Sequence, residues 1–308
     1  MKAFVGVLDK DCFNFLASLA GIDEVNFWQP GGGHHFRALN PREPFLFKLH
    51  APENFIVGGG FFAHSTLLPV SLAWDAFREK NGAATFQEMR RLIERRRQVF
   101  LASDYEIGCI LLEQPFFFRQ EDWIPAPEDW HPSIVQGKTY DLASGLGKRL
   151  WEQVEDRLKA KPHLLKKAEM AEERSPYGTP AAILPPLGQG SFRILVTDAY
   201  QRKCAITQER TLPALEVGHI KPFSESGPRK VSNGILFRAD IRRLFNAGYV
   251  TITPDYRFEV SRRIKKDYEN GRDYYASHGQ TIHLPPQEEF HPSPEFLTWH
   301  NEKIFLIS

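Results

Sequence analysis

Residues 215–252, "LEVGHIKPFSESGPRKVSNGILFRADIRRLFNAGYVTI", decide the fold of the C-terminal part of the chain. An apolar run ends at His219, and an Asn233–Gly234 pair follows 14 residues later. A short basic stretch with helical spacing then carries Arg242, and the β-branched run "YVTI" predicts a strand after it. The segment therefore predicts a strand, a loop, a helix and a further strand in close succession.

A histidine at a strand end, an asparagine in the next loop and a helix beyond it are typical of a small ββα site that hydrolyses phosphodiesters. In such a site the histidine takes a proton from water, the asparagine fixes the orientation of the imidazole, and a divalent cation stabilises the leaving oxygen. The spacing therefore predicts His219 as the base and Asn233 as its positioning residue. A lone histidine or an Asn-Gly turn has an ordinary structural explanation, but their order together favours the site.

Residues 191–275 resemble the HNH endonuclease family. The resemblance rests on several segments in the family's order, which are "KCAIT", "LEVGHIKP", "VSNGILFRADIRRLF" and "YVTI". It implies a ββα-metal fold, hydrolysis of DNA phosphodiesters and catalytic positions for His219, Asn233 and Arg242. The family also implies a divalent cation, which we expect to be Mg²⁺.

Three positions depart from the family pattern. Gly218 stands where an acidic ligand often precedes the histidine, Arg242 replaces the last histidine or asparagine, and Asn246 stands where close relatives are often acidic. An arginine repels a divalent cation, although it can hold a phosphate through two hydrogen bonds. Glu216 and Asn246 are the substitute metal ligands that the sequence offers, with His300 as a third.

Two functions of different classes follow from this pattern. The first is a DNA endonuclease of the restriction type. The second is a DNA-binding protein that recognises modified DNA and carries a degenerate HNH module, and Gly218 and Arg242 are the features that favour it.

Basic residues are concentrated in this part of the chain. Residues 191–272 contain 16 Lys and Arg against 9 Asp and Glu, whereas the whole chain has a net charge of only +1. Phosphate contacts from such residues supply affinity for DNA that depends steeply on salt. A solvated basic face is the alternative. We expect the DNA contacts to come from Arg238, Arg243, Arg262 and Arg263.

The N-terminal part alternates strands with helices. Strands are predicted for "KAFVGV", "PFLFKLH", "NFIVGGGFFAHSTLL" and "EIGCILLEQPFFF", which are rich in aromatic and β-branched residues. Helices are predicted for "DCFNFLASLAG", "SLAWDAFREKNG" and "TFQEMRRLIERRRQ". Thr85 and Glu88 give the last of these a capping box. The pattern predicts a mixed, barrel-like α+β domain.

The order of strands and aromatic residues from "NFWQP" to Trp74 resembles the PUA-like group, which includes the EVE domain and related readers of modified bases. Such readers flip a base into a pocket of aromatic faces and polar groups. The resemblance implies pocket walls from Trp28, Phe62 and Trp74, with His64 and Ser65 reading the base edge. Core packing is the alternative for each aromatic side chain, because the chain has 24 Phe.

Readers of this kind joined to HNH domains are modification-dependent restriction enzymes in bacteria. The combined resemblance therefore implies double-stranded DNA bearing modified cytosine as the partner. Because a double-strand break needs two active sites, we expect a homodimer. PUA-like folds also bind RNA, so an RNA-directed reader and nuclease is a third hypothesis.

The sequence divides into three segments within an α+β fold. We predict a PUA-like mixed β-barrel domain at 1–130, a helical connector with a Pro- and Gly-rich linker at 131–190, and an HNH (ββα-metal) domain at 191–308. Three widely separated cysteines argue against a disulfide scaffold. The absence of a signal peptide and of an apolar run of membrane-spanning length predicts a cytoplasmic protein with no membrane partner.

Overall fold

The computed structural model describes residues 1–31, 35–98, 103–160 and 187–307. The chain forms two compact units, Met1–Ser191 and Phe192–Ser308. In the parts of the chain that the structure describes, no helix combines the length and the apolar character needed to cross a bilayer.

The first unit is built on one seven-stranded mixed sheet. Its strands follow the order β2-β5-β4-β3-β1-β7, with β6 beside β4. β1 pairs with β3 in parallel, and the other pairs are antiparallel. In chain order the elements are β1 (Lys2–Leu8), α1 (Lys10–Ser18), β2 (Glu24–Gln29), β3 (Pro44–Leu49), β4 (Phe55–Pro69), α2 (Val70–Phe77), α3 (Phe86–Arg97), β5 (Glu106–Phe117), β6 (Ile124–Pro125), β7 (Gly137–Asp141) and α4 (Gly145–Ala160).

Both faces of this sheet are buried. On one face the core includes Phe13 and Leu16 of α1 together with Phe45 and Phe47 of β3. On the other face it includes residues of α4, namely Leu150, Val154 and Leu158. The long strand β4 changes register against β5 between Gly59 and Phe61 and again between Phe62 and His64, and such bulges bend a strand.

Close backbone packing explains one of the glycines in β4. A Cβ atom at Gly58 would lie 2.3 Å from the carbonyl oxygen of Phe116 on β5. A side chain at this position would therefore push the two strands apart.

The structure confirms the α+β class and the strands and helices predicted for the N-terminal part. The hydroxyl of Thr85 accepts a hydrogen bond from the backbone N–H of Glu88 at 3.2 Å, which confirms the predicted helix cap. β7 and α4 lie within the residues predicted as a connector, yet they pack on the sheet of the first unit. Most of the predicted linker, residues 161–186, lies outside the described residues.

The second unit contains the greater part of α5 (Gln189–Ala199) and a ββα unit. β8 (Leu215–His219) and β9 (Gly234–Arg238) form an antiparallel hairpin in which His219 lies opposite Gly234. The chain turns from β9 directly into α6 (Ala239–Asn246). The remaining elements are β10 (Val250–Ile252), β11 (Phe258–Val260), α7 (Arg263–Tyr268), α8 (Arg272–Tyr275) and α9 (Pro294–Lys303). The strand, loop, helix and further strand predicted for 215–252 are all present, and β9 is an additional strand between the loop and the helix.

Candidate functional site

His219 ends β8, and its ring is held by an aromatic contact. The imidazole stacks on Phe192 of α5, with ring centroids 4.2 Å apart and an angle of 19° between the planes. Gly234 on the neighbouring strand makes room for this contact. A Cβ atom at Gly234 would lie 2.8 Å from Cζ of Phe192 and 2.6 Å from Cγ2 of Val196. The glycine that sequence alone assigns to a turn therefore permits close packing beneath the histidine.

The surroundings of His219 favour its neutral form. Burial lowers the pKa of His219 below its ordinary value, and the positive charges of Arg229 and Arg242 lower it further. A neutral imidazole has a free lone pair and can accept a proton near neutral pH. This is the protonation state that a general base requires.

Asn233 is fully buried and organises the loop that leaves β8. Its Oδ1 accepts the backbone N–H of Lys221, and its Nδ2 donates to the carbonyl oxygens of Lys221 and Pro228, each at 2.9 Å. Its own carbonyl oxygen accepts the N–H of Ile220 at 3.0 Å. These bonds fix the backbone on both sides of the loop. All of these bonds are to the main chain of the loop that follows His219.

Arg242 on α6 lies beside β8 and forms an ion pair there. Its Nη1 donates to the carboxylate of Glu216, while its buried Nε has no hydrogen-bond partner among the residues that the structure describes. Gly218 lies two residues beyond Glu216 on β8, and a Cβ atom there would be 3.1 Å from the Phe237 ring and 3.7 Å from Cγ of Arg242. More than a third of each charged side chain is exposed, at 38% for Arg242 and 35% for Glu216.

The residues at this place do not fit a divalent cation. The carboxylate of Glu216 is already paired with a guanidinium, and Asn246 is exposed at the end of α6. Within the described ranges, no group of three or more His, Cys, Asp or Glu side chains is placed to hold a metal ion. Carboxylate and imidazole donors are what Mg²⁺ and related cations need in an HNH site, and Arg242 offers neither.

His300 belongs to the core and faces no metal site. It is 2% exposed, stacks on Phe245 at 3.7 Å, and uses both ring nitrogens in hydrogen bonds. Since a carbonyl oxygen only accepts, Nε2 donates to Phe245, and Nδ1 accepts from the hydroxyl of Thr251. Burial lowers the pKa of His300 to about 4.

The four arginines predicted to contact DNA differ in their surroundings. Arg238 makes two hydrogen bonds of 2.7 Å to the carboxylate of Asp240, and this pairing lowers the pKa of Asp240 to about 2. Arg263 pairs with Asp267 one turn later at 3.1 Å. Arg243 and Arg262 are exposed.

A cavity of about 510 Å³ lies in the first unit, between α1, β2 and α3. Its lining includes Trp28, Asn26, Asn81 and Arg96. The indole Nε1 of Trp28 donates to the carbonyl oxygen of Asn81 at 2.8 Å, which fixes the ring. The guanidinium of Arg96 lies 5.7 Å from the Trp28 ring centroid and pairs with Asp9.

One polar atom of this cavity lining has no partner. Asn26 is 1% exposed, and its Nδ2 donates to Oδ1 of Asn81 at 2.9 Å. Its own Oδ1 is buried and has no hydrogen-bond partner within the described part of the chain. A buried acceptor of this kind is costly unless a donor reaches it.

Of the five residues predicted to form a base pocket, Trp28 lines this cavity, and the other four, all of them described, do not. Phe62 is 6% exposed in the core of the sheet. Ser65 donates its hydroxyl to the carbonyl oxygen of Phe36 at 2.8 Å. His64 pairs with Leu111 on β5, and Trp74 packs on Phe86 with centroids 6.2 Å apart.

Sequence reasoning missed several residues that surround His219 or line the cavity of the first unit. Phe192 and Arg229 act on His219, and Asn26, Asn81 and Arg96 line the cavity. One signal was available, because residues two apart on a strand point to the same face, which places Asn26 beside Trp28. The contact between Phe192 and His219 joins positions too distant in sequence for any spacing rule.

Comparison with known proteins supports a nuclease. Residues 204–253 match the HNH endonuclease family, which confirms the predicted resemblance over the ββα unit. The ASCH protein of Zymomonas mobilis, whose fold is PUA-like, is 12% identical and covers 50% of this chain and 94% of its own, with a TM-score of 0.30. The modification-dependent restriction endonuclease TagI is 11% identical and covers 98% of this chain and 82% of its own, with a TM-score of 0.29. No curated protein matches the chain.

Proposed function

We propose that this protein is a DNA endonuclease of the restriction type, which hydrolyses phosphodiesters in double-stranded DNA bearing modified cytosine. The observation that carries the proposal is the position of His219. It lies at the end of β8, inside the HNH-matching residues 204–253, with a lowered pKa and a ring held by Phe192. These are the properties of a positioned general base.

The proposed roles in the site follow from its contacts. His219 takes the proton from the attacking water. Asn233 holds the loop after β8 and so keeps His219 and Arg229 in place, because its amide bonds the carbonyl oxygen of Pro228, next to Arg229. Arg243 and Arg262, which are exposed, contact the DNA backbone. Arg238 and Arg263 contribute less, because each already pairs with a carboxylate.

The first unit provides the reader in this proposal. A flipped cytosine enters the cavity beside Trp28, where the indole offers a stacking face. The unpartnered Oδ1 of Asn26 accepts a hydrogen bond from the exocyclic amino group of the base. The volume of about 510 Å³ is ample for a base carrying a small substituent. We propose that two copies act together, since each chain supplies one HNH site.

The proposal is tested with matched plasmids that contain plain cytosine, 5-methylcytosine or 5-hydroxymethylcytosine. We expect the wild-type protein to cut one modified plasmid, and His219→Ala to bind the same plasmid without cutting it. Equal cutting of all three plasmids would show that the protein does not read a modified base. Cutting that persists in His219→Ala would show that His219 is not the general base.

A second function is favoured by Gly218 and Arg242, which replace ligand positions of the family. In this alternative the protein binds modified DNA and its HNH module does not cut. The same plasmids distinguish the two functions. Salt-sensitive retention of one modified plasmid, with no cutting under any condition, would establish the alternative.

A further inference from the structure

We propose that Asn81 decides which pyrimidine the cavity beside Trp28 accepts. It holds the amide of Asn26 in the orientation that offers an oxygen to the base. The site therefore accepts a pyrimidine with an amino group at ring position 4 and rejects the pyrimidine of the same shape with an oxygen there. The inference rests on the proposed function for the entry of a flipped base into this cavity, and it adds Asn81 as a positioning residue that acts through Asn26.

The amide of Asn81 is held in one orientation by the main chain around it. The side chain is 1% exposed, and its Nδ2 donates to the carbonyl oxygens of Ala73 and Arg78, at 3.2 and 2.8 Å. A carbonyl oxygen only accepts hydrogen bonds, so the nitrogen end of this amide must face the two carbonyl groups. The oxygen end then faces Asn26.

The orientation of Asn81 determines that of Asn26. Because Oδ1 of Asn81 can only accept, the atom of the Asn26 amide that meets it at 2.9 Å must be Nδ2. The thiol of Cys109 lies 3.4 Å from the same Nδ2, and a thiol can either accept or donate, so it does not select one end of the amide. Asn81 makes that selection, since a rotated Asn26 would place two oxygen acceptors against each other.

Only the oxygen of the Asn26 amide is left for a ligand. Its Nδ2 donates to Asn81 and Cys109, whereas its buried Oδ1 has no partner in the ranges that the structure describes. A ligand group that reaches this oxygen must therefore donate a hydrogen bond. The exocyclic amino group of cytosine is such a donor, and the oxygen at the same position of thymine is an acceptor.

Asn81 also restrains the stacking face of the cavity. Its main-chain carbonyl oxygen accepts the indole N–H of Trp28 at 2.8 Å. Trp28 and Asn26 lie two residues apart on β2, so their side chains point to the same face of the sheet. One residue thus holds both the ring on which a base would stack and the amide that would read the edge of that base.

The selection has a purpose in DNA, because thymine carries the same methyl group as 5-methylcytosine. A pocket that recognised only the shape of the methylated ring would admit both bases. In the position that cytosine takes, the oxygen of thymine would face Oδ1 of Asn26 and leave two acceptors buried without a donor, which weakens binding. The same relation holds between 5-hydroxymethylcytosine and 5-hydroxymethyluracil.

The test measures the affinity of full-length His219→Ala for DNA duplexes by fluorescence anisotropy, so that no cutting occurs during the measurement. At one position opposite guanine, the duplexes carry cytosine, 5-methylcytosine, 5-hydroxymethylcytosine, thymine, 5-hydroxymethyluracil or an abasic site. We expect the preferred modified cytosine to bind at least about tenfold tighter than its counterpart with an oxygen at position 4. Thymine opposite guanine is mispaired and flips more readily, so easier flipping does not explain this preference.

Variants in the same background assign the preference to the two asparagines. Asn26→Ala is expected to bind the modified cytosine no tighter than its counterpart. Asn81→Ala lets the Asn26 amide rotate, because water in the vacated space can bond either end. We expect this variant to bind the counterpart tighter than His219→Ala alone does, and the preference to fall at least about threefold. Asn40→Ala, an exposed change in the same unit, is the matched control.

Asn81→Asp separates positioning from a purely structural role. It keeps an oxygen acceptor towards Asn26 and is expected to retain the preference, provided that circular dichroism shows a folded protein. Loss of the preference in folded Asn81→Asp would contradict the inference. A folded Asn81→Ala that weakens both duplexes alike would contradict it as well.

The same duplexes distinguish failure of this inference from failure of the proposed function. If no base binds better than the abasic site, the cavity is not a reader, and the proposed function and the inference both fail. If a modified cytosine binds better than plain cytosine but no better than its counterpart with an oxygen at position 4, the reader stands and the inference is overturned.

Discussion

Phe192 and His219 stack with their ring centroids 4.2 Å apart, and a glycine at position 234 makes that contact possible. The prospective base is therefore fixed by the packing of a helix on a hairpin. Asn233, by contrast, binds the backbone of Ile220 and Lys221, which follow His219.

Gly234→Ala tests whether this stacking matters for cleavage. The added methyl group would meet the Phe192 ring at 2.8 Å, so the ring and the imidazole must move. A displacement of about 1 Å at a reacting group can cost about 100-fold in rate. We expect cleavage to fall by about that factor in single-turnover assays, while DNA binding stays near the wild-type value. A variant that cuts at the wild-type rate would show that the stacking is dispensable.

The pH dependence of cleavage follows from the lowered pKa of His219. The neutral form is the active one, so the rate rises with pH through the pKa of His219 and levels off above it. Because burial and two arginines lower this pKa, we expect the cleavage rate to rise at a pH below about 6.5, the ordinary pKa of histidine. Arg229→Gln removes one positive charge and should move the rise to higher pH. An NMR titration of His219 in both proteins checks the assignment, and an unshifted curve would contradict it.

His300 makes the second unit sensitive to acid. Its folded pKa of about 4 lies below the value of about 6.5 in an unfolded chain. The unfolded state therefore binds more protons below pH 6.5, and stability falls as the pH drops towards 4. The full loss is about 3 kcal/mol. Denaturant unfolding at pH 7, 5.5 and 4.5 should show this slope, and His300→Gln should flatten it. An equal slope in both proteins would assign the acid sensitivity to other groups.

The reader cavity is tested by comparing two tryptophans. Trp28→Ala removes a stacking face worth about 1–3 kcal/mol per base, so we expect at least about fivefold weaker binding of the preferred modified duplex. Trp74→Ala alters a residue outside the cavity that packs on Phe86. Fluorescence anisotropy with His219→Ala as the background prevents cutting during the measurement. If only Trp74→Ala lost the preference for the modified duplex, the base would bind outside this cavity.

Sequence reasoning succeeded where the chemistry is local. The strand that ends at His219, the helix cap at Thr85 and the helix that carries Arg242 all depend on neighbouring residues, and the structure contains each of them. The position of Trp28 in a cavity was also predicted, although its partners were not.

Tertiary contacts limited the remaining predictions. Spacing alone did not reveal that Arg242 pairs with Glu216, because the two lie on a helix and a strand 26 residues apart. Similarly, β7 and α4 resemble a connector in sequence but bury their apolar side chains on the sheet. Phe62 and Trp74 show the same limit, since an aromatic residue suits a core as well as a pocket.

The most direct measurement compares the wild type with His219→Ala on one plasmid whose cytosines are modified and on its unmodified twin. The account predicts linear product from the modified plasmid with the wild-type protein, none from the unmodified plasmid, and none from either with His219→Ala. Linear product at equal rates from both plasmids, or from the modified plasmid with His219→Ala, would contradict it.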